Sequence, residues 1–135
     1  MSQQTIVYPQ PPTTNETIDL NRSNKFKAAR VKKIWTNKIA TLSEDLVPYS
    51  TPIWLGVKLT FPNNNCDPDN LFGCLKFVLD GLQQAEIIVN DNAKWLKGIY
   101  YIYEKAEERS VTLTFFDDPV EYRAFVLANL IKSKD

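Results

Sequence analysis

The chain has 135 residues, which is the length of one domain. Its 16 basic and 16 acidic residues cancel, and it has no histidine, so Ser-His-Asp catalysis, Cys-His catalysis and histidine-bound zinc are excluded. No apolar run is long enough for a membrane span and no secretory signal is predicted. Cys66 and Cys74 lack the spacing of a zinc site, so we expect reduced thiols in a cytoplasmic protein.

The charges are unevenly distributed although the net charge is zero. Between residues 20 and 43 the chain has no acid, whereas its basic residues there are Arg22, Lys25, Lys27, Arg30, Lys32, Lys33 and Lys38. Such asymmetry is typical of a domain with one surface that faces phosphates. A solvated basic helix face is the alternative interpretation.

The first part of the chain predicts one helix after a proline-rich beginning. Thr5–Tyr8 is predicted as a short edge strand that the following prolines end, or else residues 1–17 form a disordered tail before a domain of residues 18–135. Asn21–Leu42 lacks glycine and proline and has helical periodicity, with Ser23 or Asn24 as its N-cap.

The middle of the chain predicts a strand followed by a helix. Ile53–Phe61 places apolar residues at every second position, which indicates a strand. Asn70–Gln84 has apolar residues three and four apart, which indicates a helix, and Asp69 or Asn70 is its expected N-cap. Glu86–Val89 is predicted to be short and extended.

The last part predicts two strands and a closing helix. Lys97–Glu104 and Ser110–Phe116 alternate in polarity and are predicted to pair with each other through the acidic turn between them. Pro119 stands at the first position of a helix that Asp117 or Asp118 caps. This order of elements predicts an α+β domain in two layers.

Two acids at the start of the second helix predict a metal site. Asp67 and Asp69 flank the stiff Pro68, and free amides at a helix N-terminus keep carboxylates ionised. Such a pair suits Mg²⁺, which binds one or two carboxylates and leaves positions for a substrate phosphate. Helix capping after a turn is the alternative, while an EF-hand is excluded because Leu71 stands at a ligand position.

Asp91 and Lys76 are candidates for the same site. The helix is about 22 Å long and the return to Asp91 covers about 20 Å, so Asp91 reaches the site of its own subunit or serves that of a partner. Lys76 follows Asp69 by seven residues on the same helix face, where its ammonium would approach a bound phosphate. A surface ion pair with Asp80 is the alternative.

Three segments together carry a resemblance to a known family. They are Asp67-Pro68-Asp69-Asn70-Leu71, then Lys76-Phe77-Val78-Leu79-Asp80-Gly81-Leu82, and Asn90-Asp91-Asn92. They resemble the RusA-like Holliday junction resolvases, and most closely the phage-type members. The basic segment Asn21–Lys33 is similar to one that precedes the site in those proteins, and the likeness extends to about Phe116.

The resemblance implies a small, mostly antiparallel sheet packed by helices and a Mg²⁺-dependent endonuclease, for which Mn²⁺ can substitute, that resolves four-way DNA junctions. It implies three catalytic, metal-binding aspartates: Asp67, Asp69 and Asp91. Asn70 would orient a ligand, and Lys76 would balance transition-state charge. The implied contacts to branched DNA come from Asn24, Lys25, Lys27, Arg30, Lys32 and Lys33. A homodimer in the cytoplasm of a bacterial host, of phage or prophage origin, is also implied.

Three departures from the family pattern leave other functions open. Asn90 replaces the first acid of the usual pair, and Gly73 stands at the usual lysine position, so that Lys76 corresponds only after a three-residue insertion. Residues 63–66 replace an arginine-rich run. The alternatives are a nuclease for flaps or forks, a DNA-binding or assembly module without catalysis, and a structural protein.

Overall fold

The structure is a computed structural model that describes residues 3–62 and 68–132, with Pro68 and Asp69 described by their backbone alone. In chain order its elements are β1 (Gln4–Pro9), α1 (Thr14–Ser23), α2 (Lys25–Leu42), β2 (Ile53–Phe61), α3 (Pro68–Gln84), β3 (Leu96–Lys105), β4 (Ser110–Phe116) and α4 (Pro119–Lys132). The strands form one sheet in the order β1-β4-β2-β3, in which β2 and β3 are parallel and the other pairs antiparallel. The predicted α+β class and mostly antiparallel sheet are confirmed.

Strand β2 lies inside the sheet and is largely buried on both faces. All its residues except Trp54 and Lys58 are buried, and a strand of this kind is normally placed between two others. Strands β3 and β4 pair with its two edges. The predicted hairpin of two adjacent strands at residues 97–104 and 110–116 is therefore wrong, since β2 separates them.

The link between β3 and β4 crosses the end of β2. The Ala106 N–H donates to the Phe61 carbonyl, and the Thr60 hydroxyl donates to the Glu108 carbonyl, both at 2.8 Å. The Thr60 hydroxyl also lies 2.7 Å from that of Ser110. Two strand spacings amount to about 10 Å, which four extended residues can span, so the link is long enough to pass over one strand.

Strand β1 is an edge strand that is fixed to the helical layer by one buried tyrosine. β1 pairs with β4, and Tyr8 is fully buried with its hydroxyl 2.7 Å from that of Ser43. The Ser43 hydroxyl donates in turn to the Ile39 carbonyl at 2.6 Å. Of the two alternatives for the beginning of the chain, the edge strand is the one observed. The boundary predicted between residues 17 and 18 falls within α1.

The single helix predicted over residues 21–42 is two helices. Asn24 has an extended backbone, its N–H donates to the Leu20 carbonyl, and its side chain accepts from the Lys27 N–H at 3.1 Å. It therefore ends α1 and caps α2. Helix α1 was not predicted as a separate helix, although Thr13 and Glu16 form a capping box at its start. This spacing of a Thr and a Glu is a readable helix signal.

Helix α3 lies between the sheet and α2, over the main apolar core. The fully buried residues of this core include Leu55, Val57, Leu71, Val78, Leu82, Leu113 and Phe115. A Cβ at Gly81 would lie 2.6 Å from Ile39 Cγ2, so the glycine permits a close approach of α2 and α3. α3 begins at Pro68. Asp69 and Asn70, each predicted as its N-cap, are instead the second and third residues of the helix.

Helix α4 covers part of the opposite face of the sheet. The Tyr122 ring lies 6.3 Å from that of Trp54, and the Phe125 ring lies 5.1 Å from that of Phe116. The prediction of two layers thus omits this third, partial layer. The predicted start of α4 is confirmed, since Asp118 accepts from the Val120 N–H at 2.9 Å. Within the described ranges, no helix combines the length and apolarity that crossing a bilayer requires.

Candidate functional site

The two acids at the start of α3 are incompletely described. Asp67 lies outside the described residues, and Asp69 is placed in the first turn of α3 by its backbone alone. The convergence of these two carboxylates with Asp91 therefore stays a prediction. The described part of the candidate site consists of the loop with Asp91 and the face of α3 that this loop contacts.

Lys76 joins the loop to the helix through two carboxylates. Its ammonium lies 3.2 Å from Asp80 Oδ1 and 3.7 Å from Asp91 Oδ2. The hydrogen bond and charge of Asp80 raise the pKa of Lys76 above its ordinary value, and Asp91 adds to this effect. The i,i+4 pair with Asp80, weighed as an alternative, is thus present together with the contact to Asp91.

Asp80 is a residue that the sequence analysis assigned to the surface rather than to the site. Its carboxylate shares the Lys76 ammonium with that of Asp91, so two acids that are eleven residues apart lie close together. The signal in the sequence was the spacing of four between Lys76 and Asp80. That spacing indicates an ion pair, but it does not show that a third charge from another segment joins it.

The loop that carries Asp91 is held in place by backbone hydrogen bonds. Glu86 has a positive φ of 60°, and the Ile87 N–H donates to the Leu82 carbonyl at 2.9 Å while the Ile87 carbonyl accepts from the Tyr49 N–H at 2.8 Å. With Ile88 also buried, the segment is an anchored turn. The extended segment predicted at residues 86–89 is not formed as a strand.

Asn90 positions the next residue directly. Its side-chain oxygen accepts from the backbone N–H of Asp91 at 2.7 Å and from that of Asn92 at 3.2 Å. A short polar side chain that bonds to the backbone one and two residues on stabilises a tight turn. The asparagine that departs from the family pattern therefore has a structural function here, since it fixes the backbone from which the Asp91 side chain projects.

The chemistry of Asp91 suits a hard divalent cation. Its side chain is about a quarter exposed, at 27%, so its oxygens are accessible from solvent, and carboxylate oxygens are the ligands that Mg²⁺ prefers. Within residues 3–62 and 70–132, no three metal-ligating side chains lie together, and this range excludes the two acids at the start of α3. Asp69 lies about 10 Å along the helix from Lys76. The candidate site therefore extends over two turns of α3.

Asn70 and Gly73 connect α3 to α1. The Asn70 side-chain oxygen accepts from the Asn15 N–H at 2.8 Å, a bond that ties the first turns of the two helices together. A Cβ at Gly73 would lie 2.6 Å from the backbone nitrogen of Thr14. The position at which the family usually has a lysine therefore has no space for a side chain, which gives a physical reason for this departure.

A groove between α1, α2 and α3 leads to the ion-paired lysine. It has a volume of about 400 Å³, and its lining includes Thr17, Asn21, Lys32, Lys76, Phe77 and Asp80. A second cavity of about 260 Å³ shares Asn21 and Lys32 and continues to Lys25. Of the predicted DNA contacts, Lys32 thus lines both the groove and the second cavity, Lys25 lines the second cavity, and all the basic residues predicted on α2 are exposed. The Asn24 side chain instead caps α2.

No family model matches the sequence, and no curated protein matches it.

Proposed function

We propose that the protein is a Mg²⁺-dependent, structure-selective endonuclease that hydrolyses phosphodiester bonds in branched DNA. The observation that carries the proposal is the contact between Lys76 on α3 and Asp91 in the following loop, at 3.7 Å. The resemblance implies that Lys76 and Asp91 serve one site with Asp67 and Asp69, and this contact brings two of those four side chains together. Asp91 is fifteen residues from Lys76 in sequence, so the contact joins two separate segments, as the proposed site needs.

The side chains would divide the chemistry as follows. Asp67, Asp69 and Asp91 would hold the cation, which supplies a water of lowered pKa and neutralises charge on the phosphate oxygens. Lys76 would leave its carboxylate partners to contact the phosphate as negative charge develops there. Its ammonium is accessible because its side chain is 64% exposed, and the two acids raise its pKa further above neutral.

The groove would guide the nucleic acid to these groups. Lys32 and Lys76 line it, and Lys25 lines the neighbouring cavity. Neutralising phosphates with lysines releases counterions, so binding would be strong at low salt and would depend little on base sequence. Paired cuts in a four-way junction would require two sites, and hence a homodimer.

A second candidate function is DNA binding without catalysis. It is favoured by Gly73, because the position at which the resemblance implies a catalytic lysine has no space for a side chain. A nuclease for flaps or forks would use the same residues and differ in the DNA shape that it accepts.

Cleavage of four-way, flap and fork substrates at one salt concentration, with Mg²⁺ or EDTA, tests these alternatives. The junction nuclease predicts paired nicks in the four-way substrate with Mg²⁺ alone, and loss of cleavage in Asp91→Asn. Asp45→Asn is the matched control, since Asp45 lies in an exposed loop outside the site. Preferred cutting of flaps or forks would change the substrate assignment, and Mg²⁺-independent binding without nicks would support the DNA-binding module.

A further inference from the structure

Three aromatic rings lie in a row beside the candidate site. The Phe72 ring on α3 lies 4.4 Å from that of Tyr101 on β3, and the Tyr101 ring lies 6.4 Å from that of Tyr103 and is almost parallel to it, at 4°. We call these three rings the aromatic row. Phenylalanine is among the side chains most often buried, whereas Phe72 is 41% exposed and Tyr103, at the other end of the row, is 38% exposed. The row is therefore open to a ligand.

The row begins on the side of α3 that carries the candidate site. Phe72 follows Asp69 by three residues and precedes Lys76 by four, so the three positions lie on one side of the helix. The groove that Lys76 lines is formed with α1 and α2, whereas the Phe72 ring contacts β3. The aromatic row thus borders the candidate site on the side away from the groove.

The connections of the sheet place the row at the same end of the domain as the site. β2 and β3 are parallel, and α3 is the crossover between them, so it runs antiparallel to both and begins near their carboxyl ends. Tyr101 and Tyr103 lie in the second half of β3, which is an edge strand that solvent reaches. In sheets with such crossovers, ligands bind outside the carboxyl ends of the strands.

We propose that the aromatic row stacks on a nucleobase of the DNA strand whose phosphodiester lies at the candidate site. Every base has a flat π-face, so stacking on aromatic side chains depends little on base sequence. Within an intact duplex the neighbouring bases cover both faces, and a base must leave this stack before a side chain can stack on it. The row therefore selects DNA that offers an unstacked base at a branch. This inference rests on the proposed function, which fixes where the strand lies.

The charges beside the aromatic row suit a DNA strand. Lys76 lies about one helical turn beyond the first ring and Lys105 two residues beyond the last, and both are exposed. The phosphates on the two sides of a stacked base would meet these two ammonium groups. Glu104, the acid next to the last ring in sequence, forms an ion pair with Lys58 at 3.4 Å, which reduces its repulsion of phosphates. An apolar peptide has no group that pairs with these lysines, so a nucleotide fits the surface better.

Binding of a forked DNA and of a fully paired duplex with equal numbers of phosphates tests the row, in EDTA to prevent metal-dependent cutting. Phe72→Leu and Tyr103→Leu keep apolar bulk but remove a ring. Each is expected to weaken binding of the fork about tenfold, because one stacking contact is lost, and to leave duplex binding unchanged. The slope of log affinity against log salt should also stay the same, since no charge is removed. Leu127→Ala is the control, because Leu127 is exposed on α4, across the sheet, and it should bind both DNAs normally.

Photochemical cross-linking locates the base without any substitution in the protein. The unaltered chain is irradiated with a fork that carries 5-iododeoxyuridine at the first unpaired position of the branch, and mass spectrometry identifies the linked residue. An adduct on Phe72, Tyr101 or Tyr103 is expected. An adduct confined to other residues, or a preference for the fork that survives in both leucine variants, overturns the proposal.

Cleavage of the same fork with Mg²⁺ separates this proposal from the nuclease function. Nicking by variants that keep the preference for the fork would remove the aromatic row and leave the nuclease. Cross-linking to the row without nicking by the unaltered chain would instead keep the row as part of a DNA-binding module. A chain that binds neither DNA at low salt overturns both proposals.

Discussion

The substitution Tyr8→Phe should show how strongly the edge strand depends on one hydroxyl group. Tyr8 is fully buried, and its hydroxyl lies 2.7 Å from that of Ser43. The Ser43 hydroxyl keeps its own acceptor, the Ile39 carbonyl, so the variant leaves no buried donor without a partner. We therefore expect a loss of about 1–1.5 kcal/mol in the free energy of unfolding at neutral pH.

The effect of the same substitution should disappear as the pH rises. Burial raises the pKa of Tyr8 from 10.0 to about 12, so the folded protein keeps the phenol proton where the unfolded chain loses it. The stability that depends on this proton is complete below pH 10 and is lost as the pH rises to 12. At pH 11 the loss is about 1.4 kcal/mol. Tyr8→Phe has no such loss, so the two proteins should be about equally stable near pH 11.

Urea unfolding of both proteins at pH 8 and pH 11 measures this difference. Other groups titrate in both chains and cancel in the comparison. Ser43→Ala is a useful control, because it removes the hydrogen bond but keeps the phenol, and it should stay sensitive to pH. A difference between wild type and Tyr8→Phe that is the same at both pH values would refute the reasoning, since it would mean that the phenol does not titrate differently on folding.

Three further predictions concern α2 and α3. Gly81→Ala should destabilise the protein by about 1–2 kcal/mol in thermal unfolding, because the Cβ would lie 2.6 Å from a side chain of α2, which outweighs the gain in helix propensity; a stabilised variant would refute this. Asp80→Asn should lower the pKa of Lys76 more than Asp91→Asn does, since Asp80 is the larger cause of its shift, and NMR titration of the lysine can rank them. Lys32→Ala should reduce the slope of log affinity for DNA against log salt by about one, whereas an unchanged slope would remove Lys32 from the phosphate contacts.

Local patterns in the sequence predicted the helices and strands better than they predicted which strands pair in the sheet. The alternation in β2 and the cap at Asp118 were readable because each is a property of neighbouring residues. The pairing of β3 with β2 rather than with β4 was not readable, because both arrangements allow the same alternation and the same short link. The burial of β2 on both faces decides between them, and this becomes visible only when α4 is placed on the second face.

In the candidate site too, the features that depend on residue spacing were predictable, and the contacts between distant segments were not. The spacing along α3 placed Lys76 on one face with Asp80, and the length of the return made it possible for Asp91 to reach its own subunit. The structure adds the actual contact, which depends on the positive φ at Glu86 and on the turn that Asn90 stabilises. Such details depend on one backbone conformation and on one side-chain hydrogen bond, and neither has a periodic signal in the sequence.

The single residue between α1 and α2 determines where the lysines of α2 are presented. Without a break at Asn24, residues 14–42 would form one straight helix about 43 Å long. The chain bends at Asn24, so that α1 and α2 are separate helices and both contact α3. Because of this one asparagine, the basic helix α2 lies along the groove and does not continue α1 in a straight line.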